Sequence, residues 1–318
     1  MPRRFNVIHA CVSTEERARA GISRLLGEAG RQVVHVESGL LGEQLDSIDV
    51  LLCGEPPRID WSRARRLRLL QLMSSGIEGL WPATGLHAEV EVASARGIHL
   101  PEMRDHALAL MLAFERRLLL AVQQQRERRW SPLAAGSLSG KTVTLVGLGE
   151  VGRAVAAACA GLGMRVVGVR AEVRSTPHVD RVYAPQELDD ALRAADYVVV
   201  VVPLTDLTRG LLDARALSTM QPHAVLIHLS RGGIVDETAL CAALLQRRLA
   251  GAALDVFERE PLPPDSPLWT TPNLLITPHA AGRVRGYVER ALKVFVENLE
   301  RIERGDLPTT RVDRTRGY

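Results

Sequence analysis

The sequence has few aromatic residues, few cysteines and no long apolar run. Only 4% of its 318 residues are aromatic, and the net charge is +3 because 40 basic residues are nearly balanced by 37 acidic ones. Since acidic residues are interleaved with the arginines and no long basic block occurs, this composition argues against a nucleic-acid partner. No stretch approaches the roughly 18 apolar residues that a membrane helix needs, so we expect no membrane association.

The cysteines are scattered along the chain and form no Cys-x-x-Cys pair. They are Cys11, Cys53, Cys159 and Cys241. This spacing suggests neither a disulfide framework nor a thiolate zinc site, so we predict no metal site. The N-terminal run from Phe5 to Val12 contains Asn6 and His9 and is too short for the apolar part of a secretory signal. We therefore expect a cytoplasmic protein.

Short apolar runs alternate with amphipathic stretches almost from end to end. This pattern predicts an α/β fold in which crossover helices join parallel strands, and 318 residues are enough for two domains. Strands are predicted over 6–12, 32–36, 50–53, 69–72, 89–93, 143–146, 165–169, 197–202, 225–229, 252–257 and 274–276, with a short one near 182. Helices are predicted over about 14–28, over 103–128 as one long helix, and from 283 to about 304, while 130–139 is a predicted linker.

A glycine-rich motif follows one predicted strand and opens a predicted helix. In Gly147-Leu148-Gly149-Glu150-Val151-Gly152, the first glycine permits a tight turn and the second lets the backbone approach a pyrophosphate. The third allows close packing of helix and strand, and the amides at the helix N-terminus would face the anion. The motif therefore predicts a dinucleotide site; the alternative is a glycine-rich turn that binds nothing.

The next strand ends at Arg170, where an NAD-specific site normally has an acidic residue. A guanidinium cannot accept hydrogen bonds from the ribose hydroxyls, but it can hold a 2′-phosphate. Arg174 and Ser175 follow in the same loop. These residues favour NADP(H) over NAD(H); the alternative is that Glu172 accepts from the ribose and the arginines are surface charge.

Three polar residues, Arg231, Glu260 and His279, follow three predicted strand ends. We expect them to converge, because ligands bind outside the carboxyl ends of parallel strands. In the reduction of a 2-oxo acid, an arginine can hold the carboxylate and carbonyl oxygen, while a histidine protonates the alkoxide as hydride arrives. A paired glutamate would orient the imidazole and favour its protonated form. The alternatives are a helix-entry arginine, a surface glutamate and a capping histidine.

At these residues the chain resembles the D-isomer-specific 2-hydroxyacid dehydrogenases, which include phosphoglycerate dehydrogenase, glycerate dehydrogenase and glyoxylate/hydroxypyruvate reductase. The resemblance extends over nearly the whole chain and rests on four stretches. They are Val201-Val202-Pro203-Leu204-Thr205, Ser230-Arg231-Gly232-Gly233-Ile234-Val235-Asp236-Glu237, Leu254-Asp255-Val256-Phe257 with Glu260-Pro261-Leu262, and Thr277-Pro278-His279.

The resemblance implies an α/β fold with a Rossmann dinucleotide-binding domain (98–283) inserted into a discontinuous flavodoxin-like substrate domain (1–97 and 284–318). It also implies that Arg231, Glu260 and His279 are catalytic, that the amides of Ser75 and Gly76 bind the substrate with Arg231 and His279, and that Asp255 holds the nicotinamide carboxamide. The alternative for the loop of Ser75 and Gly76 is a plain strand-to-helix turn. The motifs and the resemblance together give the cofactor-binding set Gly147, Gly149, Glu150, Val151, Gly152, Arg170, Arg174, Ser175, Pro203, Leu229, Arg231, Asp255, His279 and Gly282.

The chain departs from the family pattern at a few positions. Arg104-Asp105-His106 stands where many members have Ala-Glu-His, so helix packing or subunit contacts are expected to differ. Arg283, just after the His279 loop, either adds positive charge at the pocket mouth or belongs to the surface. The sequence ends at Tyr318 without the additional regulatory domain of longer members, so control by an end product is not expected.

The sequence thus predicts an NAD(P)-dependent oxidoreductase that prefers NADP(H) and acts on a small 2-oxo acid or D-2-hydroxy acid such as glyoxylate or hydroxypyruvate. As in much of the family, we expect a homodimer, with 121–130 as a contact segment. One alternative is a nicotinamide-sensing binding protein like the family's corepressors. Another is a phosphite or formate dehydrogenase. The formate branch is disfavoured because its pattern resembles a Gln-His pair, whereas this sequence has a Glu-His pair.

Overall fold

The computed structural model describes residues 4–12, 16–54, 58–77, 80 and 83–315. The chain divides into two compact units, Met1–Ile98 with Val284–Tyr318, and His99–Arg283. The second unit is therefore inserted into the chain of the first. Each unit is built on its own parallel sheet.

The first unit has a five-stranded sheet in the order β2-β1-β3-β4-β5, with every pair parallel. This is the flavodoxin-like order 2-1-3-4-5. Its elements are β1 Val7–Cys11, α1 Glu16–Glu28, β2 Gln32–His35, α2 Leu41–Gln44, β3 Val50–Cys53, β4 Leu69–Leu72, β5 Glu91–Ala93 and, after the second unit, α9 Tyr287–Arg304.

Both faces of this sheet are covered. Along β3, Val50 and Leu52 pack into one hydrophobic cluster with Phe295 of α9, and Leu51 packs into another with Trp61. This alternation follows from the two-residue period of a strand, and burial on both faces explains the unbroken apolar run in the sequence. In the part of the chain that the structure describes, no helix is long and apolar enough to cross a membrane.

The second unit has a seven-stranded parallel sheet in the order β12-β11-β10-β9-β6-β7-β8. Counted within the unit, this is the Rossmann order 3-2-1-4-5-6 with one further strand. Its elements are α3 Leu100–Glu115, α4 Leu118–Arg126, β6 Thr142–Val146, α5 Glu150–Gly161, β7 Arg165–Val169, β8 Arg181–Tyr183, α6 Leu188–Arg193, β9 Tyr197–Val200, α7 Ala214–Thr219, β10 Val225–His228, α8 Glu237–Leu245, β11 Gly251–Leu254 and β12 Leu274–Ile276.

The valine run in the centre of the second sheet is buried on both sides. Val198 and Val200 pack into one hydrophobic cluster, and Val199 packs into the cluster on the opposite face. The strand order reverses between β6 and β9, so the crevice of a doubly wound sheet lies at the carboxyl ends of these two strands. The glycine-rich motif directly follows β6.

The prediction of one long helix over 103–128 is wrong. The chain forms two helices, α3 and α4, and Arg117 between them has a left-handed backbone with φ 52°. The break lies where tertiary contacts hold the end of α3: Tyr197 donates to Oε2 of Glu115 at 2.6 Å, and Arg116 donates to the carbonyl of Gly136 at 2.8 Å. These partners are 20 or more residues away, so helical periodicity could not indicate them.

Candidate active site

The glycine-rich motif is shaped by close packing at two positions and by open space at the third. Gly147 has φ 110°, and a Cβ there would lie 2.8 Å from the carbonyl oxygen of Val201. A Cβ on Gly152 would lie 2.0 Å from the carbonyl oxygen of Gly147. Around Gly149, by contrast, a Cβ would meet no atom within 4 Å. The N-terminus of α5 therefore faces open space, and it fits the pyrophosphate of a dinucleotide.

The loop after β7 carries the residues that are predicted to contact the adenosine ribose or its 2′-phosphate. Arg170 directly follows the strand, is partly exposed, and donates its backbone N–H to Tyr183 at 3.1 Å. Arg174 and Ser175 are exposed in the same loop, and so is Glu172. The position where an NAD-specific site has a carboxylate is thus occupied by a guanidinium.

The loops after β10 and β11 touch each other at Gly232. A Cβ on this residue would lie 1.9 Å from the carbonyl oxygen of Phe257, so only glycine fits. Arg231 precedes this contact, is partly buried, and donates from Nη1 to the carbonyl of Ser230 at 2.8 Å. Because the second loop continues to Glu260, the contact at Gly232 brings Arg231 and Glu260 to the same edge of the sheet.

Glu260 and His279 are joined by a hydrogen bond. Nδ1 of His279 lies 2.7 Å from Oε2 of Glu260, and Oε1 accepts the backbone N–H of Phe257 at 2.9 Å. An ionised carboxylate can only accept, so Nδ1 carries the proton. The other ring nitrogen, Nε2, is the atom that can exchange a proton with a bound molecule. The His279 side chain is 42% exposed and that of Glu260 is 34% exposed, which leaves room for a ligand to approach.

Asp255, at the end of β11, anchors the loop that carries His279. Its Oδ1 accepts from the Thr277 hydroxyl at 2.5 Å and from the Ala280 N–H at 2.8 Å, and its Oδ2 accepts from the Ala281 N–H at 2.9 Å. Its carbonyl accepts the N–H of His279 at 2.8 Å. Asp255 is 1% exposed. Four bonds from one residue therefore fix the loop to the sheet.

Glu237 supports the Glu260 loop from the start of α8, a contact that the sequence did not predict. Its Oε1 accepts the backbone N–H of Glu258 at 2.6 Å. Burial raises the pKa of Glu237, the hydrogen bond from Glu258 opposes the rise, and the negative charges of Glu258, Glu260 and Asp236 add to it. The only sequence signal was the place of Glu237 within the Ser230–Glu237 motif.

The sequence of the second unit decides the family. Residues 108–281 match the NAD binding domain of the D-isomer specific 2-hydroxyacid dehydrogenases. The chain belongs to this dehydrogenase family. The predicted family, the Rossmann fold and the enzyme class are thereby confirmed, and the protein is an NAD(P)-dependent 2-hydroxyacid oxidoreductase.

The similar proteins cover between 79% and 99% of the dehydrogenase. A glyoxylate reductase of Korarchaeum cryptofilum is 32% identical over an alignment of 260 residues that covers 79% of this chain and 77% of that relative. A crystal structure of a Xanthobacter autotrophicus Py2 family member in complex with NADPH and MES is 30% identical, with a TM-score of 0.87 and coverage of 98% of this chain and 99% of that one. The NADPH-dependent glyoxylate/hydroxypyruvate reductase of Sinorhizobium meliloti, in complex with NADP and sulfate, is 27% identical, with a TM-score of 0.87 and coverage of 99% and 100%.

The remaining predicted cofactor-binding residues of the dehydrogenase also lie in the second unit. Pro203 follows β9 and accepts from the Thr208 hydroxyl at 2.6 Å, and Leu229 follows β10 and is 4% exposed. Gly282 ends the His279 loop, and a Cβ there would lie 3.8 Å from Sδ of Met103. Glu150 and Val151 form the first turn of α5.

Among the described residues, no group of three or more His, Cys, Asp or Glu side chains could hold a metal ion.

The predicted substrate loop of the dehydrogenase lies in the first unit, after β4. The Ser74 hydroxyl donates to the carbonyl of Gly76 at 2.6 Å and closes a tight turn around Ser75. The carbonyl of Met73 accepts from the Tyr287 hydroxyl of α9 at 2.7 Å. The loop that contains Ser75 and Gly76 is therefore held by its own unit.

Proposed function

We propose that the dehydrogenase reduces a small 2-oxo acid, such as glyoxylate or hydroxypyruvate, to the D-2-hydroxy acid, with NADPH as the preferred cofactor. The observation that carries the proposal is the 2.7 Å contact between Nδ1 of His279 and Oε2 of Glu260. It lies in the unit that also contains Arg231 and the glycine-rich motif. An acid, a cation and a dinucleotide cradle are the groups that this reduction needs.

Arg231 would bind the substrate. Its planar guanidinium can donate two parallel hydrogen bonds to the carboxylate and carbonyl oxygen of a 2-oxo acid, which orients and polarises the carbonyl. From the family resemblance, the backbone amides of Ser75 and Gly76 in the substrate loop are further candidates to bind a substrate carboxylate. Both interactions favour a substrate with a carboxylate next to its carbonyl.

His279 would act as the general acid. When bound, the nicotinamide cofactor would supply the hydride for the carbonyl carbon. As negative charge develops on the carbonyl oxygen, Nε2 of His279 donates its proton there. Glu260 fixes the ring through Nδ1 and stabilises the positive charge that the imidazole carries before the transfer. In the oxidative direction the same nitrogen would accept the hydroxyl proton.

The preference for NADPH rests on Arg170. At the end of β7 its guanidinium would hold the 2′-phosphate, with Arg174 and Ser175 as further donors from the same loop. The backbone at Glu150 and Val151 would hold the pyrophosphate. Two structurally similar family members contain NADPH or NADP, which agrees with this preference.

Asp255 would contact the nicotinamide carboxamide through a single bond. A carboxylate offers about four lone-pair sites. Three of them accept from Thr277, Ala280 and Ala281. One site on Oδ2 is left for the carboxamide, so holding the His279 loop is the larger part of what Asp255 does.

We also propose that the dehydrogenase forms a homodimer through 121–130. Val122 is 46% exposed and Trp130 is 97% exposed, so this segment presents apolar surface that a second copy would cover. Sedimentation should give a dimer for the native chain and a monomer for Trp130→Ser combined with Val122→Ser. A native monomer would contradict this proposal and leave the proposed reaction untouched.

The reaction is tested by kcat/KM for glyoxylate, hydroxypyruvate, pyruvate and bulkier 2-oxo acids, each with NADPH and NADH. We expect turnover of the small acids and a higher kcat/KM with NADPH. Binding of NADPH without turnover of any 2-oxo acid would favour the nicotinamide-sensing alternative. Turnover of phosphite or formate with NADP⁺, and of no 2-oxo acid, would instead favour the alternative donors.

A further inference from the structure

We propose that Thr277 and His106 are positioning residues, which hold the carboxylate of Asp255 so that the loop 277–281 presents His279 to the substrate. The inference rests on the proposed role of His279 as the general acid. Thr277 and His106 have no place in the cofactor and substrate sets above. Their side chains reach the His279 loop through the carboxylate of Asp255, and the backbone carbonyl of Thr277 also accepts the N–H of His279 at 3.0 Å.

The first step of the argument is the direction of the hydrogen bonds. Oγ1 of Thr277 lies 2.5 Å from Oδ1 of Asp255 and 3.2 Å from Nε2 of His106. A hydroxyl has one hydrogen, and the carboxylate can only accept, so Thr277 donates to Asp255. The hydroxyl oxygen must then accept from His106, whose Nε2 carries a hydrogen. The three side chains form a chain of bonds that all run toward Asp255.

The second step concerns the two ends of this series of hydrogen bonds, His106 and Asp255. Nε2 of His106 is 3.7 Å from Oδ1 of Asp255, and the His106 side chain is 21% exposed while that of Asp255 is 1% exposed. In such a poorly solvated place, consecutive hydrogen bonds strengthen one another, and the loss of one leaves the next group unpaired. His106 belongs to α3, so the chain ties the carboxylate to a long helix and not only to the loop.

The third step is the backbone that the carboxylate holds. Asp255 accepts the N–H groups of Ala280 and Ala281 with its side chain and that of His279 with its carbonyl. His279 has a left-handed backbone with φ 49°, which is unfavourable for a residue with a side chain. The loop therefore needs external bonds to keep this conformation, and Asp255 supplies them.

A displaced imidazole would slow the reaction without weakening binding. A misplacement of about 1 Å at a reacting group can cost about 100-fold in rate. Arg231 and the glycine-rich motif, which would hold the substrate and the pyrophosphate, lie on other loops, after β10 and β6, and neither depends on Thr277. The proposed contact of Asp255 with the carboxamide is a single bond, so disturbing it should change NADPH binding little. A positioning role thus predicts a fall in kcat with little change in the KM for the 2-oxo acid or in NADPH binding.

The test is Thr277→Val, which keeps the shape and removes the hydroxyl. We expect kcat to fall about 10- to 100-fold, while the KM and the NADPH dissociation constant change less than about threefold. Hydrogen exchange at the amides of Ala280 and Ala281 should become faster, since their acceptor is no longer held. Thr277→Ser restores the donor and should recover most of kcat, and His106→Gln, which keeps an N–H donor, should lose less than His106→Phe.

Thr144→Val is the matched control. Thr144 is a fully buried threonine of the same unit whose hydroxyl donates to the carbonyl of Ala191 at 2.8 Å. The same substitution there should lower thermal stability and leave kcat and the exchange of the His279 loop unchanged. A fall in kcat that follows stability alone, equal in both valine variants, would overturn the inference.

The inference and the proposed function fail in different ways. Unchanged kcat and unchanged exchange in folded Thr277→Val overturn the inference, whatever His279 does. His279→Ala is measured in parallel, and near-native turnover in that variant overturns the proposed function and, with it, the purpose assigned to the loop anchor. Faster exchange, lower kcat and rescue by serine support the inference.

Discussion

Glu260 joins His279 to the loop after β11, because one of its carboxylate oxygens contacts the imidazole and the other accepts from the backbone of Phe257. Oε2 lies 2.7 Å from Nδ1 of His279, and Oε1 accepts from the backbone of Phe257 at 2.9 Å. Phe257 in turn makes the close backbone contact with Gly232, the neighbour of Arg231. The backbone of Phe257 therefore connects all three proposed catalytic residues. Its N–H binds Glu260, which holds His279, and its carbonyl packs against Gly232, which follows Arg231.

The first prediction concerns Glu260→Gln. The amide can still accept from Phe257 and keep the loop in place, but its NH2 group cannot accept from Nδ1 of His279, so the imidazole loses the acceptor that orients it. We expect reductive kcat to fall about 10- to 100-fold. Glu260→Asp, which keeps a carboxylate, is the control and should lose less. An unchanged kcat in Glu260→Gln would contradict the pairing.

The second prediction concerns Arg231 and His279 themselves. Removing a general acid costs about 10²- to 10⁴-fold, so His279→Ala should nearly abolish kcat. Arg231→Ala should abolish turnover too, because the substrate is no longer held or polarised. NADPH binding, measured by fluorescence, should remain largely intact in both variants. His223→Ala and Arg248→Ala, exposed residues of the same unit, are matched controls that should keep native turnover. Near-normal turnover in either site variant would sink the assignment.

The third prediction concerns cofactor choice. Arg170→Ser removes a charged donor worth about 2 kcal/mol, or roughly 30-fold in kcat/KM for NADPH. The value for NADH should change little, since NADH has no 2′-phosphate. Arg165→Ser, at the opposite end of β7, removes an exposed arginine of the same strand and should alter neither value. Equal losses with the two cofactors would show that Arg170 does not read the phosphate.

The fold could be predicted further than the site could. The buried valines of β9 and the glycines that follow β6 are local signals, so the α/β class and the dinucleotide motif were readable from the sequence. The position of Asp255 was also readable, but its bonding was not: its partners Thr277, Ala280 and Ala281 are more than 20 residues away. Contacts between residues 20 or more positions apart also accompany the helix break at Arg117 and join His106 to Thr277, so the sequence indicated neither feature. Local patterns indicate elements, whereas the bonds that aim a side chain depend on how those elements pack.

The fourth prediction concerns stability in the first unit, where Arg31 and Glu303 form a buried pair. The guanidinium donates to both carboxylate oxygens at 2.6 and 2.8 Å, and the side chains are 6% and 12% exposed. Burial raises the pKa of Glu303, but the hydrogen bonds from Arg31 and Phe5 lower it by more, so the net pKa lies below its usual value.

A lowered pKa means that the ionised glutamate stabilises the folded state above its unfolded pKa of about 4.3, and that this contribution is lost as pH falls through the folded pKa. Glu303→Gln leaves Arg31 buried without its charge partner and should cost about 3 kcal/mol at pH 7. In denaturation measured at several pH values, the difference from the native protein should shrink below about pH 4. Glu28→Gln, in the exposed pair of Arg24 and Glu28, is the control and should cost about 0.5 kcal/mol or less. A difference for Glu303→Gln that stays constant down to acid pH would show that the ionised pair is not what stabilises this end of α9.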